Sequence, residues 1–185
     1  GTIPVYLEAT KEFDIIHKKK IAIRASIMAF LILLFFIVIG QIILDGMEVS
    51  LDAFQISGGV ILFLFALTMI FGEGKPEQEK NRITDYKHVT IFPIAIPSLA
   101  SPGAIMAVVL MTNNQIYSIK EQAITTFVVL IVIGITCLTL LTANYLQKLI
   151  GSYGITVLSK IMGLILASYA IQSILSGISN YFINF

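Results

Sequence analysis

Residues 21–44 read Ile21-Ala22-Ile23-Arg24-Ala25-Ser26-Ile27-Met28-Ala29-Phe30-Leu31-Ile32-Leu33-Leu34-Phe35-Phe36-Ile37-Val38-Ile39-Gly40-Gln41-Ile42-Ile43-Leu44. One charged residue, Arg24, stands near the start, and Ile27 to Ile39 follow without a polar side chain. A helix needs about 20 apolar residues to cross the hydrocarbon core of a bilayer, and this run supplies them. A membrane barrel strand would instead alternate apolar and polar residues over about ten positions. In lipid the backbone must satisfy its own hydrogen bonds, so a continuously apolar run of this length is a membrane helix.

Outward from this stretch, four more runs have the same character: residues 53–72, 91–111, 123–143 and 158–178. The chain of 185 residues is 57% hydrophobic and 12% charged. A soluble domain carries roughly 25% charged residues, so this chain could not coat a water-facing surface. The expected fold is an all-α membrane protein, a helical bundle forming one transmembrane domain over residues 1–185. Its partner is the lipid bilayer. The net charge of +1, without a basic stripe, gives no footprint for nucleic acid. Cys137 is the sole cysteine, and His17 and His88 stand alone in charged segments. That spacing offers no metal site and implies no cofactor.

Lys and Arg set the orientation. Eleven of the twelve fall on one set of alternate loops: residues 11–24, 75–87, Lys148 and Lys160. Lys120 alone falls on the other set. Cytoplasmic loops are the enriched ones, so the C-terminus is expected outside, with residues 73–90 as a cytoplasmic linker.

The chain also reads as a duplication. An offset of 104 sets Gly59 on Gly163, Ile61 on Ile165, Leu62 on Leu166, Ala66 on Ala170 and Ile70 on Ile174. An offset of 102 sets Gly1-Thr2-Ile3 on Gly103-Ala104-Ile105. Repeat one then covers about residues 1–72 and repeat two about 91–178, with a first span absent ahead of Gly1. Three spans per repeat is an odd number, so the repeats would be inverted in the membrane. Transporters built this way bind substrates near the midplane at interrupted helices.

The interruption is legible in the third run, where Pro93, Pro97 and Ser101-Pro102-Gly103 break a helix. Serine is a good N-cap and proline suits the first helical position. A half-helix is expected to start here, turning the N–H groups of Gly103, Ala104 and Ile105 toward whatever lies in front. Such a terminus attracts anionic groups such as a carboxylate. Ser98 could add a hydroxyl. The candidate substrate site is therefore Ser98, Ser101, Pro102, Gly103 and Ala104, with Gly1, Thr2 and Pro4 as the other half. The competing reading is a packed helix that proline merely kinks.

Four stretches carry a resemblance to a known family: Gly1-Thr2-Ile3-Pro4, residues 53–64, residues 95–105 and residues 162–167. On them the sequence resembles the MarC family of bacterial inner-membrane proteins. The resemblance implies six spans, with an Asn-Pro pair in a first span that this sequence does not show. It also implies kinship with carriers of small neutral amino acids.

The leading expectation is a secondary transporter or exporter of small neutral amino acids or similar metabolites. A non-transporting structural component and a lipid-translocating protein stay open. No His-Glu-x-x-His or Gly-x-Ser-x-Gly motif occurs, and no span holds a His or carboxylate to act as a base, so an enzyme is not expected.

Overall fold

The structure, a computed structural model, describes residues 2–72, 86–114 and 116–183. Among these residues there are helices and no strand. Helix α1 spans Thr2–Ala9, α2 Ile15–Gly46, α3 Leu51–Phe71 and α4 Tyr86–Val89. A wide-turned, irregular segment, Thr90–Leu99, leads to α5 (Pro102–Leu110), α6 (Ile119–Leu141) and α7 (Ala143–Ile183). Helices α2, α3, α6 and the Tyr153–Ile183 part of α7 are each long and apolar enough to cross a membrane. Tyr86–Leu99 and Pro102–Leu110 meet the same test only as a pair, bent by 53°, which is the geometry of a broken span or of a re-entrant loop. The protein is an all-α membrane protein, as its apolar runs require. Gly1 and residues 73–85, most of the expected linker, lie outside the described residues.

Local chemistry sets the helix ends. Helix α2 starts six residues ahead of its apolar run because Asp14 caps it, accepting the His17 N–H at 3.0 Å. The same carboxylate meets the His17 ring at Nδ1. The backbone bond first, and the imidazole second, hold Asp14 below the ordinary carboxylate range. At 32 residues, α2 is about 48 Å long. That exceeds the roughly 30 Å hydrocarbon layer, so its lysine-bearing first turns reach past it. Near this end Arg24 lies over the Tyr86 ring, 5.7 Å from its centre.

Ser50 caps α3, accepting the Ala53 N–H at 3.2 Å, and Gly72 closes it in the left-handed conformation at φ 71°. Glu121 folds back on the start of α6, accepting the Ser118 N–H and hydroxyl, each at 2.8 Å. Helix α7 is longer than its apolar run. Residues 143–150 form an additional stretch, which turns into the span at Gly151, with φ 76° and ψ 161°. Thr136, Thr139 and Thr142 return their hydroxyls to carbonyls of their own helix, the expected use of that threonine row.

The tightest packing joins α3 to α7. A Cβ on Gly59 would lie 2.7 Å from Ile174 Cγ1 and 3.0 Å from the Ala170 carbonyl oxygen. A Cβ on Gly163 would lie 3.0 Å from Ile70 Cγ1 and 3.1 Å from the Ala66 carbonyl oxygen. Gly177 likewise presses on Ile56 and the Asp52 carbonyl. As the position rises along α3 its partner falls along α7, so the two helices are antiparallel. Small residues let the backbones approach where apolar burial gives no drive, because lipid is as apolar as leucine. A second cluster gathers Ala22, Ala25 and Ala29 of α2 with Ile94 and Ala95 of the irregular segment, all fully buried. Phe127 and Leu138, on the outer side of α6, are more than 60% exposed, as lipid-facing residues would be.

Candidate functional site

The broken span is shaped by its prolines. Phe92 and Ile96, each followed by proline, leave helical geometry at φ −128°, ψ 121° and φ −126°, ψ 130°. A residue before proline is pushed into extended backbone, so the two breaks follow directly from Pro93 and Pro97. The Ala100 N–H then reaches the Ala95 carbonyl five residues back, at 2.8 Å, and the chain turns into α5.

Ser101 caps α5 as its position before proline and glycine requires. Its hydroxyl accepts the Ala104 N–H at 3.1 Å, and its carbonyl accepts the Ile105 N–H at 2.9 Å. Two of the three N–H groups expected to face a ligand are thus taken by Ser101 itself. Only that of Gly103 is not. Gly103 is a glycine for packing: a Cβ there would lie 2.6 Å from Leu62 Cδ1. Helix α3 presses on that side of the half-helix.

The two expected halves of the site do meet. The Thr2 hydroxyl, at the start of α1, donates to the Ser98 carbonyl at 3.4 Å, joining residues 96 positions apart. The Ser98 hydroxyl is buried and has no hydrogen-bond partner. A cleft of about 370 Å³ opens at this junction, lined by Thr2, Ser98, Leu99 and Ala104. Pro4, Ser101, Pro102 and Gly103 do not line it. Gly1 lies outside the described residues.

The larger wall of the cleft belongs to α6, a helix that sequence reasoning left out of the site. Ile124, Thr125, Val128, Val129, Val132, Ile133 and Thr136 form one face there, opposite Ala107 and Val108 of α5, Met111 just past its end and Leu33 of α2. The hydroxyls of Thr125 and Thr136 bond the carbonyls of Glu121 and Val132 on their own helix. No charged side chain lines the cleft, and Ser98 carries its uncommitted hydroxyl. Among the described residues no three His, Cys, Asp or Glu side chains gather as a metal site would require. The arrangement can hold an uncharged or internally neutral guest against two helix starts.

One polar tie fixes the far end of α5. Gln41, buried in α2, accepts the Asn114 N–H at 2.7 Å, and Gln122 donates to the Asn114 side chain at 2.8 Å. The loop after α5 is thereby held between α2 and α6.

Comparison with known proteins agrees with the resemblance on which residues 95–105 and their companions rest. The profile described as MarC family integral membrane protein matches residues 1–182. A UPF0056 membrane protein of Methanocaldococcus jannaschii is 34% identical over 181 residues, covering 96% of this chain and 88% of its own. One from Pyrococcus horikoshii is 32% identical over 183 residues, covering 98% and 88%. One from Buchnera aphidicola subsp. Acyrthosiphon pisum is 31% identical over 188 residues, covering 100% and 91%. No solved structure matches the chain.

Proposed function

The chain belongs to the MarC family of integral membrane proteins, and from that premise we propose that it is a secondary transporter of small neutral amino acids or similar small metabolites. The observation that carries this reading is the junction of Thr2 with Ser98. It brings the starts of α1 and α5 together beside a buried, unpartnered hydroxyl. Helix starts carry partial positive charge and favour a carboxylate. The lining has no charged side chain, which fits a solute without net charge better than an ion.

Transport of this kind rests on an inverted repeat, and the α3–α7 seam supports one. Gly59 touches Ala170 and Ile174, while Gly163 touches Ala66 and Ile70. Adding 104 to Ala66 and Ile70 gives Ala170 and Ile174, so the two glycines make the same contacts with the helices exchanged. A local two-fold relation between antiparallel helices produces that reciprocity, with the site near the bilayer midplane. The Lys and Arg distribution supports a C-terminus on the outer side of the membrane, which this reading takes to be a bacterial inner membrane.

The test is uptake of labelled alanine and glycine into proteoliposomes holding the purified protein, with and without a sodium gradient. Saturable uptake is expected, abolished by Ser101→Leu and weakened by Ser98→Ala. No uptake by folded, inserted protein would overturn the amino-acid reading, and accumulation only with a gradient would establish sodium coupling.

A further inference from the structure

Helix α7 carries an exposed amide on the side away from its seam with α3. Gln172 stands nine residues beyond the seam residue Gly163, which is about 180° round the helix. It also lies six residues inside the end of the apolar run 158–178, about 9 Å of helix, and so within the hydrocarbon layer. Hydroxyls of the same helix satisfy themselves. Ser168 and Ser173 donate to the Leu164 and Tyr169 carbonyls at 3.0 and 3.1 Å. An amide has two donors and an acceptor to place, and its own helix does not serve them. Gln172 Nε2 reaches the Ser176 hydroxyl only at 3.4 Å, and among the described residues nothing donates to its Oε1. Gln41 of α2, by contrast, is buried and spends its amide oxygen on the Asn114 N–H of another segment. Lipid offers Gln172 neither donor nor acceptor, and polar side chains in spans face protein or water.

The residues around Gln172 have the spacing of a helix–helix seam. Ile161, Ile165, Ser168, Gln172, Leu175 and Ser179 follow one another at four and three residues in turn, and all six are exposed. Lys160, the one charged side chain of the Tyr153–Ile183 span, lies about 120° away from Gln172 round the helix. We propose that this row is a parallel two-fold interface with a second copy of the same chain in the membrane. A two-fold axis along the membrane normal sets each residue of one α7 at the height of the same residue in its partner. Each Gln172 amide then donates to the other's Oε1, and two reciprocal hydrogen bonds join the pair. An amide is its own complement, which selects a second copy over an unlike helix. One polar position in an otherwise apolar seam also fixes register and partner number. Ser168 and Ser179, being small, let the two helices approach. None of this rests on transport.

The experiment follows the whole chain in liposomes at falling protein-to-lipid ratio, with the dimer fraction read by single-molecule photobleaching of a dye at the C-terminus. A reversible monomer–dimer transition is expected. Gln172→Leu changes an exposed side chain and is expected to raise the dissociation constant about tenfold, since two hydrogen bonds are lost in lipid. In a Cys137→Ser background, Ser168→Cys and Leu175→Cys are compared under mild oxidation with Ile171→Cys. Ile171 is 43% exposed and next to Gln172 in depth, but about 100° round the helix. Intermolecular disulfides are expected several-fold faster at the two row positions. A chain that stays monomeric at every ratio would overturn the proposal and leave the row to a different partner. Dimers held as tightly with Gln172→Leu as without it would overturn it by showing that the amide does not join the pair. Equal disulfide rates at all three positions would overturn it in favour of random collision. Because no uptake is read, failure of the amino-acid reading leaves these outcomes unchanged.

Discussion

The α3–α7 seam and the α5–α6 cleft are lined by equally apolar residues, yet one is closed to backbone contact and the other is open. The seam is built from Gly59, Ala66, Gly163, Ala170 and Gly177. The cleft wall is built from Ile124, Val128, Val129, Val132 and Ile133. In water both surfaces would be driven together with similar force. In lipid that drive is absent and shape decides: small residues let the carbonyls of one helix reach the next, while branched ones hold a neighbour away. Apolarity places these helices in the membrane, and side-chain size decides which of them touch.

The comparison breaks most sharply at the seam. Gly59→Leu should cost about 3 kcal/mol, since its Cβ already meets a backbone carbonyl that has nowhere to move. Gly163→Leu, which meets the same contacts with the helices exchanged, should cost a similar amount, about 2–3 kcal/mol. Thermal unfolding in detergent reads both, and a large inequality would mean that the reciprocal contacts are coincidental. A smaller effect separates a buried helix face from an exposed one. Ala25→Val on the sealed face of α2 should cost about 1–2 kcal/mol by overpacking. Val128→Ala on the open face of α6 should stay within about 0.5 kcal/mol. Equal losses would show that the cleft is filled in the protein as measured.

The smallest effect concerns pH, to which neither seam nor cleft contributes a charged group. Asp14 does, at the exposed start of α2. Its pKa is lowered in the folded state, so its contribution is present above the ordinary carboxylate pKa and fades as pH falls through the folded value. Asp14→Asn keeps a capping side chain and should flatten the acid limb of a stability-against-pH curve. An unchanged acid limb in that variant would assign it to other carboxylates.

The spans were legible because a run such as Ile27 to Ile39 admits one solution in lipid. The cap at Ser101 was legible too, since serine before proline and glycine at a helix start has a local use. That same locality governs how Ser101 is used. Ser101 spends its hydroxyl and carbonyl on Ala104 and Ile105, which leaves Ser98, not Ser101, with the unpartnered group. The Thr2–Ser98 contact spans 96 residues and leaves no local mark. The α6 wall consists of residues indistinguishable by type from lipid-facing ones. What sets them apart is the start of α5 and Thr2 across the cleft, and such neighbours leave no mark in residue type. The helical stretch at residues 143–150 escaped notice because it is too short and mixed to read as a span.

The seam has a consequence for how the protein is made. Its two sides, at Gly59 and Gly163, lie 104 residues apart. At roughly 5–20 residues per second of synthesis, α3 waits about 5 to 20 seconds in the bilayer before its partner emerges. A soluble helix left bare for that long would invite aggregation. Here the wait costs little, because a membrane helix bonds its own backbone and acyl chains solvate its glycine face. Late assembly around a seam of small residues is a route open to this chain because it is built in lipid.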